Sequence, residues 1–172
     1  TGERLGLSLE EQDARITKMK DGRTHLAHKA EHAVDMDTGA VVGVTVQGAD
    51  EGDTTTVCDT LVEAADELEA VAAVTDGVTG VIENVVMDKG YHSNHVLVGL
   101  TEAGFRTFVA EPARGRRCWR GQPAARAAVY ANRRRITSPR GLALQRQRSL
   151  RLEQPNAHLY EPGGMGGTHF RG

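Results

Sequence analysis

Between Thr24 and Ala110 the hydrophobic pattern switches back and forth between a two-residue and a helical period, and that order restricts the fold more than any bulk property. From Thr24 to Val34, residues Leu26, His28, Ala30, His32 and Val34 fall on one side. Ala27, Lys29, Glu31 and Ala33 fall on the other, which is strand periodicity. Asp35 to Gly39 is turn chemistry, and Ala40 to Val46 is the β-branched return strand of a hairpin. Asp53 to Val74 repeats Val57, Leu61, Ala64, Ala65, Leu68 and Val71 at helical spacing, with acids on the wet face. Asp53 or Thr54 is expected to cap this helix, and Thr75-Asp76-Gly77 to end it. A strand over Val81–Met87, a helix over Asn94–Ala103 capped by Ser93 or Asn94, and a strand over Phe105–Ala110 follow. The order β-β-α-β-α-β predicts an α/β fold whose sheet has parallel members.

Beyond Glu111-Pro112 the character changes. Two basic helices are expected, over Gln122–Ile136 and Leu142–Tyr160, broken at Ser138-Pro139. Residues 1–23 read as an opening loop and 161–172 as a loose tail around one domain, 24–160. The absence of an initiator Met reads as the start of a fragment whose N-terminal part is missing.

The formal net charge of -2 conceals a sharp division. Residues 1–100 carry 19 acids against 7 Lys and Arg, whereas residues 106–151 carry 13 Arg against one acid, Glu111. Such asymmetry points to a polyanionic partner, and Arg forks match phosphate oxygens in pairs. The alternative is a solvated Arg-rich helical face. Cys58 and Cys118 lack metal-ligand spacing and read as two free thiols. His25, His28 and His32 lie on a strand with His25 on the opposite face, so they do not converge on a metal. No apolar run approaches the length of a membrane span, and no secretory leader opens the chain, so a cytoplasmic protein is expected.

The run VIENVVMDKGYHSN delivers Asp88 at the tip of a strand, where ligands of α/β sheets gather. On spacing alone two roles compete: a carboxylate that caps the next turn, and a metal ligand held on a rigid strand.

VVMDKGYHSN resembles the catalytic core of bacterial insertion-sequence transposases of the DDE kind, with an RNase-H-like fold. So, in order along the chain, do HLAHKAEHAVDMDTGAVVGVTV, ADEGDTTT, GRRCWRG, YANRRRI and LEQPNAHLYEPGGM. The resemblance implies an RNase-H-like mixed sheet flanked by helices, with a basic helical C-terminal part. It implies two Asp and one Glu holding two Mg²⁺ or Mn²⁺ ions, with Asp88 as the second Asp and Glu153 as the Glu. It further implies DNA, both transposon ends and target, as partner, with an oligomer assembled on DNA and no membrane. Arg114, Arg116, Arg117, Arg120, Arg133, Arg134, Arg135, Arg146 and Arg148 would face phosphates. The first Asp of the set has no counterpart here, because no strand is expected ahead of Thr24 and Asp35 and Asp37 sit in the hairpin turn. Asn156 stands where Phe is usual, and Gly166-Gly167 where an Arg pair is usual. Whether this chain is itself an enzyme is left open. A DNA-binding remnant without chemistry and an RNase-H-like nuclease are the alternatives.

Overall fold

The protein is described by a computed structural model covering residues 15–18, 24–48, 50–77 and 80–153, with side chains described from 28 to 150. It is a mixed α/β structure. The strands are β1 (Arg15–Lys18), β2 (Thr24–Val34), β3 (Val41–Gly48), β4 (Asn84–Met87) and β5 (Arg106–Val109). The helices are α1 (Asp53–Val74), α2 (Asn94–Glu102), α3 (Pro123–Ile136) and α4 (Pro139–Glu153), with a short 3₁₀ turn at Lys89–Tyr91. None of the described helices is long and apolar enough to cross a membrane.

Two expectations are corrected. The opening segment read as loop contains a strand: β1 pairs antiparallel with β2, Ile16 opposite Leu26. Four residues are too few to show a period, and the strand is defined by its partner. The expected single mixed sheet is instead two sheets among the described residues, an antiparallel β1-β2-β3 and a parallel β4-β5. Side chains join them where a backbone ladder was expected. Glu31 on β2 accepts from Tyr91 after β4, and Lys29 on β2 pairs with Asp53 at the start of α1.

The apolar core is small and aliphatic, as a chain poor in aromatics requires. Val57, Val85, Met87, Val96, Leu97, Leu100, Val109, Ala128 and Val129 form it, drawn from α1, β4, α2, β5 and α3. On the other side α1 lies against β3. A Cβ placed on Gly43 would stand 2.9 Å from the backbone nitrogen of Ala64, so helix and strand touch nearly backbone to backbone.

Helix ends differ from expectation in instructive ways. The N-cap of α1 is Gly52, which has no side chain to cap with, and Asp53 is the first helical residue, paired with Lys29. Ser93 caps α2 as expected, accepting from the Val96 amide. The break at Ser138-Pro139 is real, but α4 begins there: Pro139 is tolerated in a first turn, and Ser138 Oγ accepts from the Gly141 amide at 3.1 Å. The remainder of the expected last helix, 154–160, and the tail 161–172 lie outside the described residues.

The outer edge of β5 is closed by side chains of α3. Asn132, fully buried, accepts from the Val109 amide and donates to the Val109 carbonyl, both at 2.9 Å. Two residues earlier on the strand, the Arg135 guanidinium donates to the Thr107 carbonyl and hydroxyl, both at 2.8 Å. At the carboxyl ends of both strands, Gln145 of α4 donates to the carbonyls of Met87 at 3.2 Å and Phe108 at 2.5 Å.

Replacing Asn132 by Ala leaves two buried backbone groups of Val109 unpaired and is expected to cost about 3 kcal/mol in urea denaturation. Gly43→Ala is expected to cost about 2 kcal/mol by forcing α1 off β3, read in the same assay.

Candidate functional site

Asp88 follows β4 directly in an extended conformation, and its Oδ1 accepts from the Gly90 amide at 2.6 Å. The capping role weighed from the sequence is therefore present in the fold. The same turn brings a second carboxylate to it. A Cβ on Gly90 would stand 2.7 Å from Asp53 Oδ2 and 2.9 Å from Asp88 Oδ1. Any larger residue would push one or both carboxylates aside. His95 links α2 to the start of α1, its Nε2 lying 2.9 Å from the Thr54 carbonyl oxygen.

A third acid lies behind the pair. Glu31 is buried and is surrounded by neutral donors: the Tyr91 hydroxyl, Thr60 Oγ1 at 2.8 Å and Gln47 Nε2 at 3.4 Å. The Tyr91 hydroxyl is pushed well above its ordinary value. Burial is the main cause, followed by its hydrogen bond to Glu31 and the negative charges of Glu31, Asp53 and Asp88. Tyr91 therefore keeps its proton and donates a hydrogen bond to Glu31. Lys29 is the compensating cation, ion-paired with Asp53.

Mg²⁺ takes one or two carboxylates and fills its remaining positions with water and phosphate oxygens. Asp53 and Asp88 fit that donor chemistry for one ion. Among the described residues no group of three potential ligands forms. Glu153 is the last residue of α4, and its side chain lies outside the described set. The α4 residue at the carboxyl end of β4 is Gln145, and Glu153 stands about 12 Å farther along the helix axis. Asp35 caps the hairpin turn, accepting from the Thr38 amide at 2.9 Å, and His28 and His32 are exposed on β2. Cys58 and Cys118 are both free and exposed.

The arginines singled out in the sequence divide into two groups. Arg133 grips Glu111 with two hydrogen bonds, of 2.6 and 2.7 Å, and Arg135 is spent on Thr107. Arg117 donates to Asn94 and lies 4.4 Å over the Trp119 ring, while Arg114 donates to the His92 carbonyl at 3.3 Å. Arg148 lies 3.4 Å from the Gln145 amide oxygen. Arg116, Arg120, Arg134 and Arg146 are exposed. Behind this surface His92 is buried with neither ring nitrogen bonded to a protein atom.

The sequence pattern marks Asp53 only as a helix cap, and it assigns Glu31 and Trp119 no functional role. The acid run ADEGD at the junction of β3 and α1 was the available signal for Asp53, and an aromatic embedded among Arg116, Arg117 and Arg120 was the signal for Trp119. Nothing local marks Glu31, whose burial depends on Tyr91, sixty residues away. No protein-family model matches the chain, and neither a curated protein nor a solved structure does.

Two groups make the fold sensitive to acid. Burial holds the His92 imidazole below its ordinary 6.5. The hydrogen bonds from Arg133 hold the Glu111 carboxyl below its ordinary 4.5, against the opposing effect of its own burial. Each folded-state value is depressed, so each group contributes stability above its ordinary value and loses it as pH falls toward the folded value. Stability is expected to decline as pH drops below 6.5, and further below 4.5. Urea midpoints measured across that range should show the first decline flattened in His92→Phe and the second in Glu111→Gln.

Proposed function

We propose that this chain is the catalytic core of an insertion-sequence transposase of the DDE kind, an RNase-H-like phosphodiester cleavage and strand-transfer unit acting on DNA. The observation that carries the reading is the pair of carboxylates Asp53 and Asp88, held over Gly90 at the carboxyl end of a parallel strand. The strand order adds support: an antiparallel β1-β2-β3 meander precedes a helix and a parallel β4-β5 pair. β1 supplies a strand ahead of the hairpin, an element the sequence pattern alone did not reveal.

In this reading Asp53 and Asp88 hold a divalent ion, and water and phosphate oxygens fill its remaining positions. Bound there, the ion would polarise a phosphoryl oxygen and lower the pKa of a bound water. Lys29 holds Asp53 in place. Tyr91, kept protonated, fixes the buried carboxylate of Glu31 behind the pair. The exposed arginines Arg116, Arg120, Arg134 and Arg146 neutralise backbone phosphates, which supply most sequence-independent DNA affinity.

A DNA-binding remnant without chemistry is the second reading. It is favoured by the absence of a three-ligand cluster among the described residues and by the ion pair that already occupies Asp53.

The two readings separate in one experiment. Purified protein is incubated with supercoiled plasmid and Mg²⁺ or Mn²⁺, alongside Asp88→Ala and Asp53→Asn. A transposase core nicks the plasmid, and either substitution lowers nicking by at least about a hundredfold, the upper end of the cost of disturbing even an outer-shell partner. Nicking that is equal in all three proteins rejects catalysis at this site. DNA binding that weakens with salt but comes without cleavage establishes the remnant.

A further inference from the structure

Between the loop that carries Trp119 and the first turns of α3 lies an open groove of about 550 Å³. Trp119, Gly121, Pro123, Arg126, Tyr130 and Arg134 line it, and none of the lining residues is acidic. We infer that this groove is a stacking site for an unpaired base of single-stranded DNA. The inference rests on the reading that the chain acts on DNA, but it concerns a surface other than the carboxylate pair.

Three features carry it. The first is aromatic. Trp119 and Tyr130 face each other with centroids 6.2 Å apart and planes inclined by 58°, so two rings of different orientation border one space. Every nucleobase has a π-face, and aromatic platforms bind single strands with little regard to sequence.

The second feature is charge. Guanidinium groups lie against both rings: Arg117 at 4.4 Å from the Trp119 centroid, and Arg133 and Arg126 at 5.1 and 5.7 Å from that of Tyr130. Neither Arg126 nor Arg134 forms an ion pair among the described residues. Their charge is therefore uncompensated at the groove rim, where the phosphates flanking a stacked base would pass. A cationic or purely apolar ligand would meet repulsion or unpaired charge there.

The third feature is preorganisation. The loop is tied at both ends to Asn94, the first residue of α2. Arg117 donates to the Asn94 oxygen, and the Asn94 amide donates to Gln122 at 2.9 Å. Gly121, at φ 69°, takes the left-handed turn that leads into α3. A groove held in this way loses little freedom on binding. Duplex DNA could reach the rim arginines, but its paired bases are stacked on one another and unavailable to Trp119.

The protein contains one tryptophan, so fluorescence excited selectively at tryptophan, and not at its three tyrosines, reports this groove. Titration in EDTA keeps metal chemistry out of the measurement. The probes are oligo(dT), a duplex of equal phosphate number and a heparin fragment of similar charge. The expected result is quenching by oligo(dT), with affinity roughly tenfold above that of the duplex, and weak displacement by heparin. Tyr130→Ala and Arg126→Ser, both surface changes, should each weaken oligo(dT) binding by roughly tenfold with unchanged thermal unfolding. Trp119→Ala, followed by anisotropy of labelled oligo(dT), should weaken binding to a similar degree, with some loss of thermal stability because Trp119 also packs against the core. Unquenched Trp119, equal displacement by heparin, or indifference to both surface substitutions overturns the inference. Plasmid nicking with an unquenched Trp119 removes the groove and leaves the transposase reading standing. Selective quenching without nicking does the reverse.

Discussion

The structure depends on how a two-stranded parallel sheet is kept from having an open edge. β4 and β5 are four residues each, and such a pair is too small to be stable by itself. Asn132 solves the problem by presenting its amide to Val109 as a neighbouring strand would, and Arg135, which can only donate, satisfies the Thr107 carbonyl on the same edge. Because residues 107 and 109 project their backbone groups to the same side of β5, two side chains three positions apart on one helix can seal it. Sealing the edge fixes α3 against the sheet, and α3 in turn carries Tyr130 and the rim of the aromatic groove.

The acidic and basic halves of the chain also take physical form. Among the described residues the acids concentrate on α1, whose first residue Asp53 shares one neighbourhood with Glu31 of β2 and Asp88 after β4, with Lys29 as the ion-pair partner of Asp53. The arginines split between internal work and display. Arg133 and Arg135 satisfy buried groups, whereas Arg116, Arg120, Arg134 and Arg146 stand on the surface. An Arg-rich stretch read only as a phosphate surface therefore merges two functions. The guanidinium fork that suits a phosphate suits a carboxylate or a carbonyl equally well.

Much of the fold was legible because it is local. The helix over Asp53–Val74 was bounded by its apolar repeat and its terminal glycine, and Ser93 was recognisable as a cap. The place of Asp88 at a strand tip was readable for the same reason. The strand Arg15–Lys18 was not, since it has no period of its own and exists through its partner β2. The division into two sheets was equally hidden. The pattern of strands and helices does not say which strand edges meet, and here Asn132 stands at the edge of β5 where another ladder could have formed.

Periodicity and turn chemistry, set by neighbours within one or two helical turns, determined which segments are strands, which are helices, and that Asp88 ends one of them. Tertiary structure alone decided that Asp53 stands beside Asp88, that Glu31 is buried under Tyr91, that Asn132 completes β5, and that Trp119 meets Tyr130. Each of these is a contact between residues distant in the chain. It depends on where whole elements pack, and the side-chain order of a single segment carries no record of that.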